Sequence, residues 1–349
     1  MFYIRADGNS QIGAGHIMRC LSIAEALKDK GKVTIFLTAD EESASLIASR
    51  GFATLTLRTR WDHMEEELDT LLPILKEKEI TKLIIDSYSV TKHYMDEVSK
   101  YSKIVYLDDL GEALFPVDLL INYNIYANTI PYKERYEQMS IKCPTLLLGG
   151  EYVPLRAEFS TLESRVRRVV RDVLITTGGG DLHNASGTIL KAIEENVASF
   201  MGIRFHIVSG AYNPNTPELK ILEKENANIK VYENVRHMAE LMKKCDIAIT
   251  AAGSTLYELA ALGIPTICFY FAENQKRGAE CFGEKLAINC GNFVADPEAV
   301  TDNILKALKK YADSYEERSA ACDLLTQTLD GDGASRIADQ LVRVPGSCY

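Results

Sequence analysis

The feature that most constrains the fold is an alternation of short apolar runs with amphipathic segments, which begins at the N-terminus. In the first half the apolar runs are Phe2–Arg5, Val33–Leu37, Thr54–Leu57, Lys82–Ile85, Ile104–Leu107 and Leu119–Ile121. The clearest amphipathic segment is His16–Lys28, whose apolar residues recur every three or four positions, as they do along one face of a helix. Strands that alternate with helices are typical of βαβ units, so this half is predicted to form a parallel sheet.

The second half of the chain repeats the alternation. Its apolar runs are Asp172–Thr176, Arg204–Val208, Ile229–Tyr232, Ile247–Thr250 and Thr266–Phe269. The helical patterns between and after them are Ala185–Glu195, Leu256–Leu262 and Glu298–Tyr311, and further helical residues follow at Ser314–Val342. A second parallel sheet is therefore predicted.

The length of 349 residues favours two domains, because it exceeds what one hydrophobic core usually holds. The segment Gly149–Arg171 contains Pro154 and is rich in arginine near its end, which is typical of a linker. We therefore predict an α/β fold with two Rossmann-like domains, 1–160 and 161–349, and a final helix that packs back on the first. Ligands of such sheets bind beyond the carboxyl ends of the strands, so a ligand is expected in a cleft between the domains.

Composition excludes several classes of function. Lys plus Arg total 39 and Asp plus Glu total 49, which gives a net charge of −10 and argues against a nucleic-acid partner. No stretch reaches the roughly 20 apolar residues of a membrane span, and residues 1–7 lack a signal-peptide pattern, so we expect a cytoplasmic protein without membrane insertion. The eight cysteines are scattered without a C-x-x-C pair, so free thiols and no metal site are expected.

A glycine-containing loop follows the first predicted strand and leads into the first predicted helix. Gly13 and Gly15 allow the backbone to approach a ligand closely, and a helix N-terminus attracts phosphate. Met18 stands where a dinucleotide-binding fingerprint would have its third glycine, which disfavours an NAD-dependent oxidoreductase. His16 begins the helix, and because imidazole titrates near about pH 6.5 its neutral form is available as a general base. The alternative interpretation is that this glycine-containing loop is a turn with a purely structural role.

Three turns in the second half have the same strand–turn–helix context. Gly178 and Gly179 follow one strand, and the run Gly253, Ser254 and Thr255 follows another and offers N–H and hydroxyl donors to a diphosphate. Glu258, one turn into the next helix, is placed to accept both hydroxyls of a ribose, although a carboxylate near a helix N-terminus is favourable in any case. Asn274 and Gln275 open a later helix, where helix capping explains an Asn almost as well as ligand contact does.

Motifs in a fixed order over nearly the whole chain resemble those of the UDP-2,4-diacetamido-2,4,6-trideoxy-β-L-altropyranose hydrolases of pseudaminic acid biosynthesis. The motifs are Ile4–Asp7 with Ile12–Leu21, Ile85–Tyr88, Asp108 with Asp109, Leu147–Gly149, Tyr152, Leu155–Phe159, Gly178–Asp181, Gly253–Thr255 with Glu258, Ala272–Gln275 and Asp330–Arg336. The resemblance implies a fold like that of the GT-B glycosyltransferases, including the peptidoglycan N-acetylglucosaminyltransferase. It implies a UDP-sugar as substrate and the release of UDP and a free sugar.

The resemblance also implies roles for individual residues. His16 matches the general base, Tyr88 an active-site hydroxyl and Glu258 the ribose-binding acid. Positions that match substrate-binding or UDP-binding residues, or that belong to the turns around them, are Gly13, Gly15, Arg19, Arg156, Gly178, Gly179, Gly253, Ser254, Thr255, Asn274 and Gln275. Gly180 stands where the family more often has Ser or Thr, so only backbone contacts are expected from that position. This family is close to proteins of spore-coat polysaccharide synthesis, so the resemblance does not specify the exact sugar or the glycan that is made from it.

The mechanism expected from these residues is one displacement at the anomeric carbon by water, with inversion. UDP is a good leaving group, so no carboxylate pair of the glycosidase type, no metal and no cofactor are required. A GT-B glycosyltransferase with the same UDP-sugar donor is one alternative, and a catalytically silent UDP-sugar-binding protein is another. We expect a monomer or a weak dimer.

Overall fold

The computed structural model describes residues 1–9, 11–160, 165–210 and 212–343, and the contacts between residues divide the chain into two compact units. The first unit comprises Met1–Ala157 and the stretch that begins at Asp332. The second unit is Glu158–Gly331. The main chain therefore leaves the first unit once and returns to it near the C-terminus.

In the described part of the first unit, seven parallel strands form one sheet in the order β3-β2-β1-β4-β5-β6-β7. The strands are β1 (Phe2–Ala6), β2 (Thr34–Thr38), β3 (Ala53–Thr56), β4 (Lys82–Asp86), β5 (Lys103–Leu107), β6 (Leu119–Asn122) and β7 (Thr145–Leu148). The helices are α1 (Gly15–Asp29), α2 (Glu41–Ala48), α3 (Leu68–Glu77), α4 (Lys92–Ser99) and α5 (Tyr132–Gln138). The strand order reverses between β1 and β4, which is the switch point where ligands of such sheets bind.

In the described part of the second unit, six parallel strands form a sheet in the order β10-β9-β8-β11-β12-β13. The strands are β8 (Asp172–Thr176), β9 (Arg204–Ser209), β10 (Ile229–Glu233), β11 (Ile247–Ala251), β12 (Thr266–Tyr270) and β13 (Ile288–Asn292). The helices are α6 (Ala185–Glu195), α7 (Thr216–Glu225), α8 (Met238–Lys244), α9 (Thr255–Ala261), α10 (Glu273–Lys285), α11 (Pro297–Asp313) and α12 (Tyr315–Thr328). Here the order reverses between β8 and β11.

The last helix, α13 (Gly333–Arg343), packs on the first unit. Its apolar face buries Ile337, Ala338 and Leu341 in the same core as Ile17 and Leu21 of α1. A Cβ atom on Gly333 would collide with the backbone of Val153, so glycine permits the close approach at the start of this helix. Among the described residues, no helix combines the length and the apolar character that a membrane span requires.

The predicted α/β fold with two Rossmann-like sheets is confirmed, since every predicted strand lies within two residues of an observed one. The predicted helix Ala185–Glu195 has the bounds of α6. Sequence reasoning missed the edge strands β7 and β13. Strand β13 contains two asparagines and Gly291, and its pairing with β12 shifts register, so it lacks the apolar run by which the other strands were found.

Candidate active site

The polar residues of the first unit converge at the switch point of its sheet. His16 lies in the first turn of α1, which follows β1 and its loop, and Asp86 ends β4. Tyr88 lies just beyond β4, and Asp109 and Tyr123 follow β5 and β6. The carboxyl ends of parallel strands meet at one edge of the sheet, so residues far apart in sequence become neighbours there.

The loop between β1 and α1 is shaped by Asn9 and Gly13. The side-chain oxygen of Asn9 accepts hydrogen bonds from the backbone N–H groups of Gln11 (3.0 Å) and Ile12 (3.2 Å). The N–H of Gly13 donates to the carbonyl of Asn9 at 2.8 Å, and Gly13 has a φ of 73°, a conformation that favours glycine. The turn places Gly15 at the first position of α1 and His16 next to it.

His16 and Asp86 form a buried pair. Nδ1 of His16 lies 2.6 Å from Oδ1 of Asp86, and the two residues are 7% and 1% exposed. A carboxylate only accepts hydrogen bonds, so the contact with Asp86 requires a proton on Nδ1, although Nη2 of Arg19 also lies 2.9 Å from the same nitrogen. With the proton on Nδ1, the pairing with Asp86 orients the ring and Nε2 is the nitrogen that can act as a base.

Arg19 ties this pair to a second carboxylate. Its Nε donates to Oδ2 of Asp86 at 2.5 Å, and its Nη2 donates to Oδ1 of the same group. Its Nη1 donates to Oδ2 of Asp109 at 2.5 Å and to the hydroxyl of Tyr123 at 2.7 Å. Each guanidinium nitrogen is engaged within the protein, so Arg19 holds the acidic groups in place, and the ligand contact expected of it stays a prediction.

The environment of Asp86 keeps it ionised. Burial alone would raise its pKa, but the charges of Arg19 and His16 and their hydrogen bonds outweigh burial and hold the pKa of Asp86 well below its usual range. Asp86 is therefore a carboxylate at neutral pH and accepts hydrogen bonds from both neighbours.

Tyr88 packs against the ring of His16. Their ring centroids are 4.5 Å apart with the planes at 75°, an edge-to-face contact. The hydroxyl of Tyr88 donates to Oδ2 of Asp109 at 2.8 Å, while the residue as a whole is 51% exposed. Burial of the hydroxyl and the adjacent Asp109 carboxylate raise the pKa of Tyr88, so it remains a neutral phenol. The structure thus brings the two predicted catalytic residues, His16 and Tyr88, into contact.

A pocket opens beside these two rings. Its lining residues are Asp7, Ile12, His16, Trp61, Asp86, Ser87, Tyr88 and Ser89. Asp7 is held by two donors: Nη1 of Arg5 at 2.5 Å and the backbone N–H of Ala39 at 2.7 Å. Arg5 is itself fully buried and bound by Glu67 through Nε (2.9 Å) and Nη2 (2.7 Å). Both carboxylates of the pocket are therefore paired with a guanidinium.

The predicted residues of the second unit also gather at the carboxyl ends of its strands. Gly178 and Gly179 follow β8 and are exposed. Below them, the buried carboxylate of Asp181 accepts hydrogen bonds from the N–H groups of Ala185 (2.8 Å) and Ser186 (2.9 Å) at the start of α6. A Cβ atom on Gly210 would collide with the carbonyls of Gly178 and Gly179. The turn is thus held on its buried side by Asp181 and Gly210, while the backbone of Gly178 and Gly179 is exposed to solvent.

The next turns of the second unit are similarly open. Gly253 and Ser254 are exposed between β11 and α9, and Glu258 is half-buried one turn into α9. At the start of α10, Asn274 is exposed, whereas Oε1 of Gln275 accepts the N–H of Phe271 at 2.9 Å. Gln275, rather than Asn274, therefore binds the backbone where β12 leads into α10.

Arg156 influences α1 of the first unit. Burial raises the pKa of Glu25 on this helix, and the charge of Arg156 opposes that rise. Glu25 lies on the same helix as His16, nine residues further along. The role of Arg156 in ligand binding stays a prediction.

Several neighbours of His16 were not assigned a role from the sequence. Asp86 and Asp109 belong to recognised motifs, and each follows or ends an apolar strand, which is the signal that could have found them. Asp7, which follows β1 and belongs to the motif Ile4–Asp7, carried the same signal, whereas Trp61 carried none. In the described ranges, no group of three or more His, Cys, Asp or Glu side chains is arranged to hold a metal ion.

Comparison with known proteins identifies relatives along the whole chain. Residues 173–340 match the glycosyltransferase family 28 C-terminal domain. The spore coat polysaccharide biosynthesis protein SpsG of Bacillus subtilis is 23% identical over 342 residues, which cover 96% of this chain and 95% of SpsG. The UDP-2,4-diacetamido-2,4,6-trideoxy-β-L-altropyranose hydrolase of Campylobacter jejuni is 27% identical over 283 residues, which cover 80% of this chain and 95% of that protein.

Another relative is longer than this chain. The uncharacterized protein MJ1062 of Methanocaldococcus jannaschii is 26% identical over 296 residues, which cover 81% of this chain but 57% of MJ1062. The chain thus matches little more than half the length of that protein.

Among solved structures, MurG of Acinetobacter baumannii superposes with a TM-score of 0.67 at 12% identity, covering 99% of this chain and 100% of MurG. This likeness confirms the predicted GT-B fold. The sequence relatives confirm the resemblance that the motifs indicate, since the chain is similar over most of its length to SpsG and to the UDP-2,4-diacetamido-2,4,6-trideoxy-β-L-altropyranose hydrolase.

Proposed function

We propose that the protein hydrolyses a UDP-linked 2,4-diacetamido-2,4,6-trideoxy sugar at its anomeric carbon and releases UDP and the free sugar for nonulosonic acid synthesis. The observation that carries the proposal is the buried His16–Asp86 pair, which leaves Nε2 of His16 free as a base beside a pocket. The hydrolase name of the Campylobacter jejuni relative supports the substrate class and the reaction.

In the proposed reaction, a water molecule attacks the anomeric carbon and His16 Nε2 takes a proton from it. The bond between the anomeric carbon and the phosphate oxygen breaks, and its electron pair leaves with UDP. Asp86 stabilises the imidazolium that forms, because its carboxylate already accepts the proton on Nδ1. Tyr88, as a neutral phenol in contact with the His16 ring, is placed to orient the water or the sugar.

Inversion at the anomeric carbon follows from the state of the pocket carboxylates. A retaining mechanism needs a free carboxylate nucleophile. Asp86 is bound by His16 and Arg19, and Asp7 is bound by Arg5 and the backbone. These contacts support a single displacement by water over a covalent intermediate.

The same pairing supports catalysis without a divalent metal. A metal that assists phosphate chemistry requires several oxygen ligands at one point. The carboxylates nearest His16 already neutralise Arg5 and Arg19, so binding a cation there would compete with buried ion pairs.

We propose that the second unit holds UDP. Its exposed turns at Gly178, Gly179, Gly253 and Ser254 offer backbone N–H groups of the kind that bind phosphate, and Glu258 would accept the ribose hydroxyls. Thr255, Asn274 and Gln275 lie at the starts of α9 and α10 beside these turns. Negative charge on the departing UDP would be stabilised there.

Incubating the protein with the UDP-sugar in the absence of an acceptor tests the proposal. Release of UDP and free sugar in equal amounts is expected. A glycosyltransferase, the alternative that the match to the family 28 domain keeps open, would turn over only after an acceptor is added, and a silent binding protein would not turn over at all. We place the reaction in the cytoplasm, catalysed by a monomer or weak dimer.

A further inference from the structure

The pocket beside His16 is lined by polar residues and by two apolar ones, Ile12 and Trp61, which we call the apolar wall. Asp7, Ser87 and Ser89 supply oxygen atoms on the polar part of its lining, and Ile12 and Trp61 supply apolar surface. Trp61 lies in the segment between β3 and α3, far in sequence from the β4 residues that complete the pocket. The fold of the first unit thus places Trp61 in the same pocket as His16, the proposed general base.

Neither apolar residue of this wall is buried in the core. Trp61 and Ile12 are both half-buried, whereas the apolar residues of β1 beneath them are buried. A large apolar side chain that lines a pocket gains free energy when a ligand covers its remaining surface with carbon atoms. Hydroxyl groups would lose hydrogen bonds to water against such a wall, whereas methyl groups would not.

We propose that Trp61, together with Ile12, is the specificity-determining wall of the sugar site and contacts the methyl groups of the substrate. This inference rests on the proposed function. The substrate class it names is a UDP-sugar with acetamido methyl groups or a 6-deoxy methyl group, as opposed to a fully hydroxylated sugar. The oxygens of Ser87 and Ser89 in the same lining are suited to accept acetamido N–H groups.

The chain has one tryptophan and 17 tyrosines, so fluorescence excited selectively at tryptophan reports on Trp61 alone. Titration with the UDP-linked diacetamido-trideoxy sugar is expected to change the tryptophan emission, and titration with UDP alone is expected to leave it unchanged. Equal emission with and without the UDP-sugar, at concentrations that calorimetry shows to be saturating, would overturn the proposal. This readout does not depend on turnover.

The second measurement compares substrates. Wild type and Trp61→Ala are assayed on the 6-deoxy diacetamido substrate and on UDP-N-acetylglucosamine, which carries a 6-hydroxyl group. The ratio of the two kcat/KM values is expected to fall by about 10–200-fold in the variant, the range for a methyl contact in an apolar pocket. Trp61→Phe should retain most of the preference, and it keeps the test valid if the alanine variant does not fold.

Phe52→Ala is the matched control. Phe52 is a half-buried aromatic residue of the same unit that packs on Phe36, and it is absent from the lining of the pocket. Its substrate ratio should equal that of wild type. If the substrate ratio is unchanged in Trp61→Ala and hydrolysis is intact, the role of Trp61 is refuted while the proposed function stands. If wild type does not hydrolyse the UDP-sugar, the proposed function itself is refuted.

Discussion

The two predicted sites differ in how they are built. In the first unit, His16 and Asp86 are 7% and 1% exposed, and Arg19 and Asp109 complete a network in which charged side chains bind one another. In the second unit, Gly178, Gly179 and Gly253 present exposed backbone, and the buried Asp181 stabilises the turn from behind. The site of the first unit consists of buried side chains that orient one another. The site of the second unit consists of turns whose backbone is exposed.

We propose that the difference reflects catalysis in the first unit and UDP binding in the second. Catalytic groups need fixed positions and protonation states, and a buried ion network provides both. Phosphate and ribose binding needs accessible donors, and exposed turns before helices provide these. Substitutions in the first unit should therefore change the rate, and those in the second should change UDP affinity.

The largest effect is expected for His16→Ala. Loss of the base should reduce turnover by about 10²–10⁴-fold, the usual contribution of general base catalysis. UDP affinity measured by calorimetry should be almost unchanged, because the proposed UDP site lies in the second unit. His63→Ala is the control, since His63 is an exposed histidine of the same unit. Activity of His16→Ala within a few-fold of wild type would make His16 structural.

Asp86→Asn is expected to reduce turnover by roughly 10–10³-fold, less than loss of the base itself. The amide can donate to Nδ1 and so favour the wrong tautomer of His16, and Arg19 loses its partner charge. Steady-state kinetics at pH 7 measures the loss. If the variant folds and retains full activity, orientation of His16 by Asp86 plays no part in catalysis.

The same variant tests the charge of Asp86 through stability. Since the folded-state pKa of Asp86 is depressed, its contribution to stability is present above the unfolded pKa of about 3.9 and is lost as the pH falls below that value. The stability difference between wild type and Asp86→Asn, from urea unfolding, should therefore be largest near neutral pH and shrink below about pH 4. A difference that does not vary with pH would contradict the buried charge.

In the second unit, Glu258→Ala should weaken UDP binding by about 1–3 kcal/mol, because a charge-assisted hydrogen bond to the ribose is lost. The matched control is Glu240→Ala, an exposed glutamate in the first turn of α8. Calorimetry with UDP compares the two. Equal affinity in Glu258→Ala and wild type would remove the ribose assignment.

A pair of glycine variants gives the smallest expected effects and separates ligand contact from turn structure. A Cβ atom on Gly179 meets no atom within 4 Å, so Gly179→Ala should leave stability unchanged while reducing UDP affinity a few-fold. Gly210→Ala should destabilise the protein by about 1–3 kcal/mol, because its Cβ atom collides with the carbonyls of Gly178 and Gly179. Thermal unfolding and calorimetry distinguish them, and unchanged UDP affinity in Gly179→Ala would place the ligand elsewhere.

Much of the fold could be predicted because the parallel strands are buried and therefore apolar. The runs that became β1, β4, β8 and β11 were found in this way, whereas the polar edge strand β13 was not. Strand β13 contains two asparagines and Gly291, so it lacks the apolar run that identified the edge strands β3 and β10.

The site could be predicted only in part. Loop glycines and a histidine before a helix are local signals, and they indicated His16. The partners of His16 are separated from it by 70 residues in the case of Asp86, and that contact depends on the strand order, which sequence periodicity does not specify. For the same reason, Arg19 could be predicted as important, but its engagement with Asp86 and Asp109 could not.

The most direct test of the central claim is hydrolysis in water enriched with heavy oxygen. If His16 activates water for attack on the anomeric carbon, mass spectrometry should find the label in the free sugar and none in UDP. Proton NMR at early times should show the inverted anomer, and the reaction should proceed with a metal chelator present. Label in UDP would show attack on phosphorus and would contradict the mechanism even though hydrolysis had occurred.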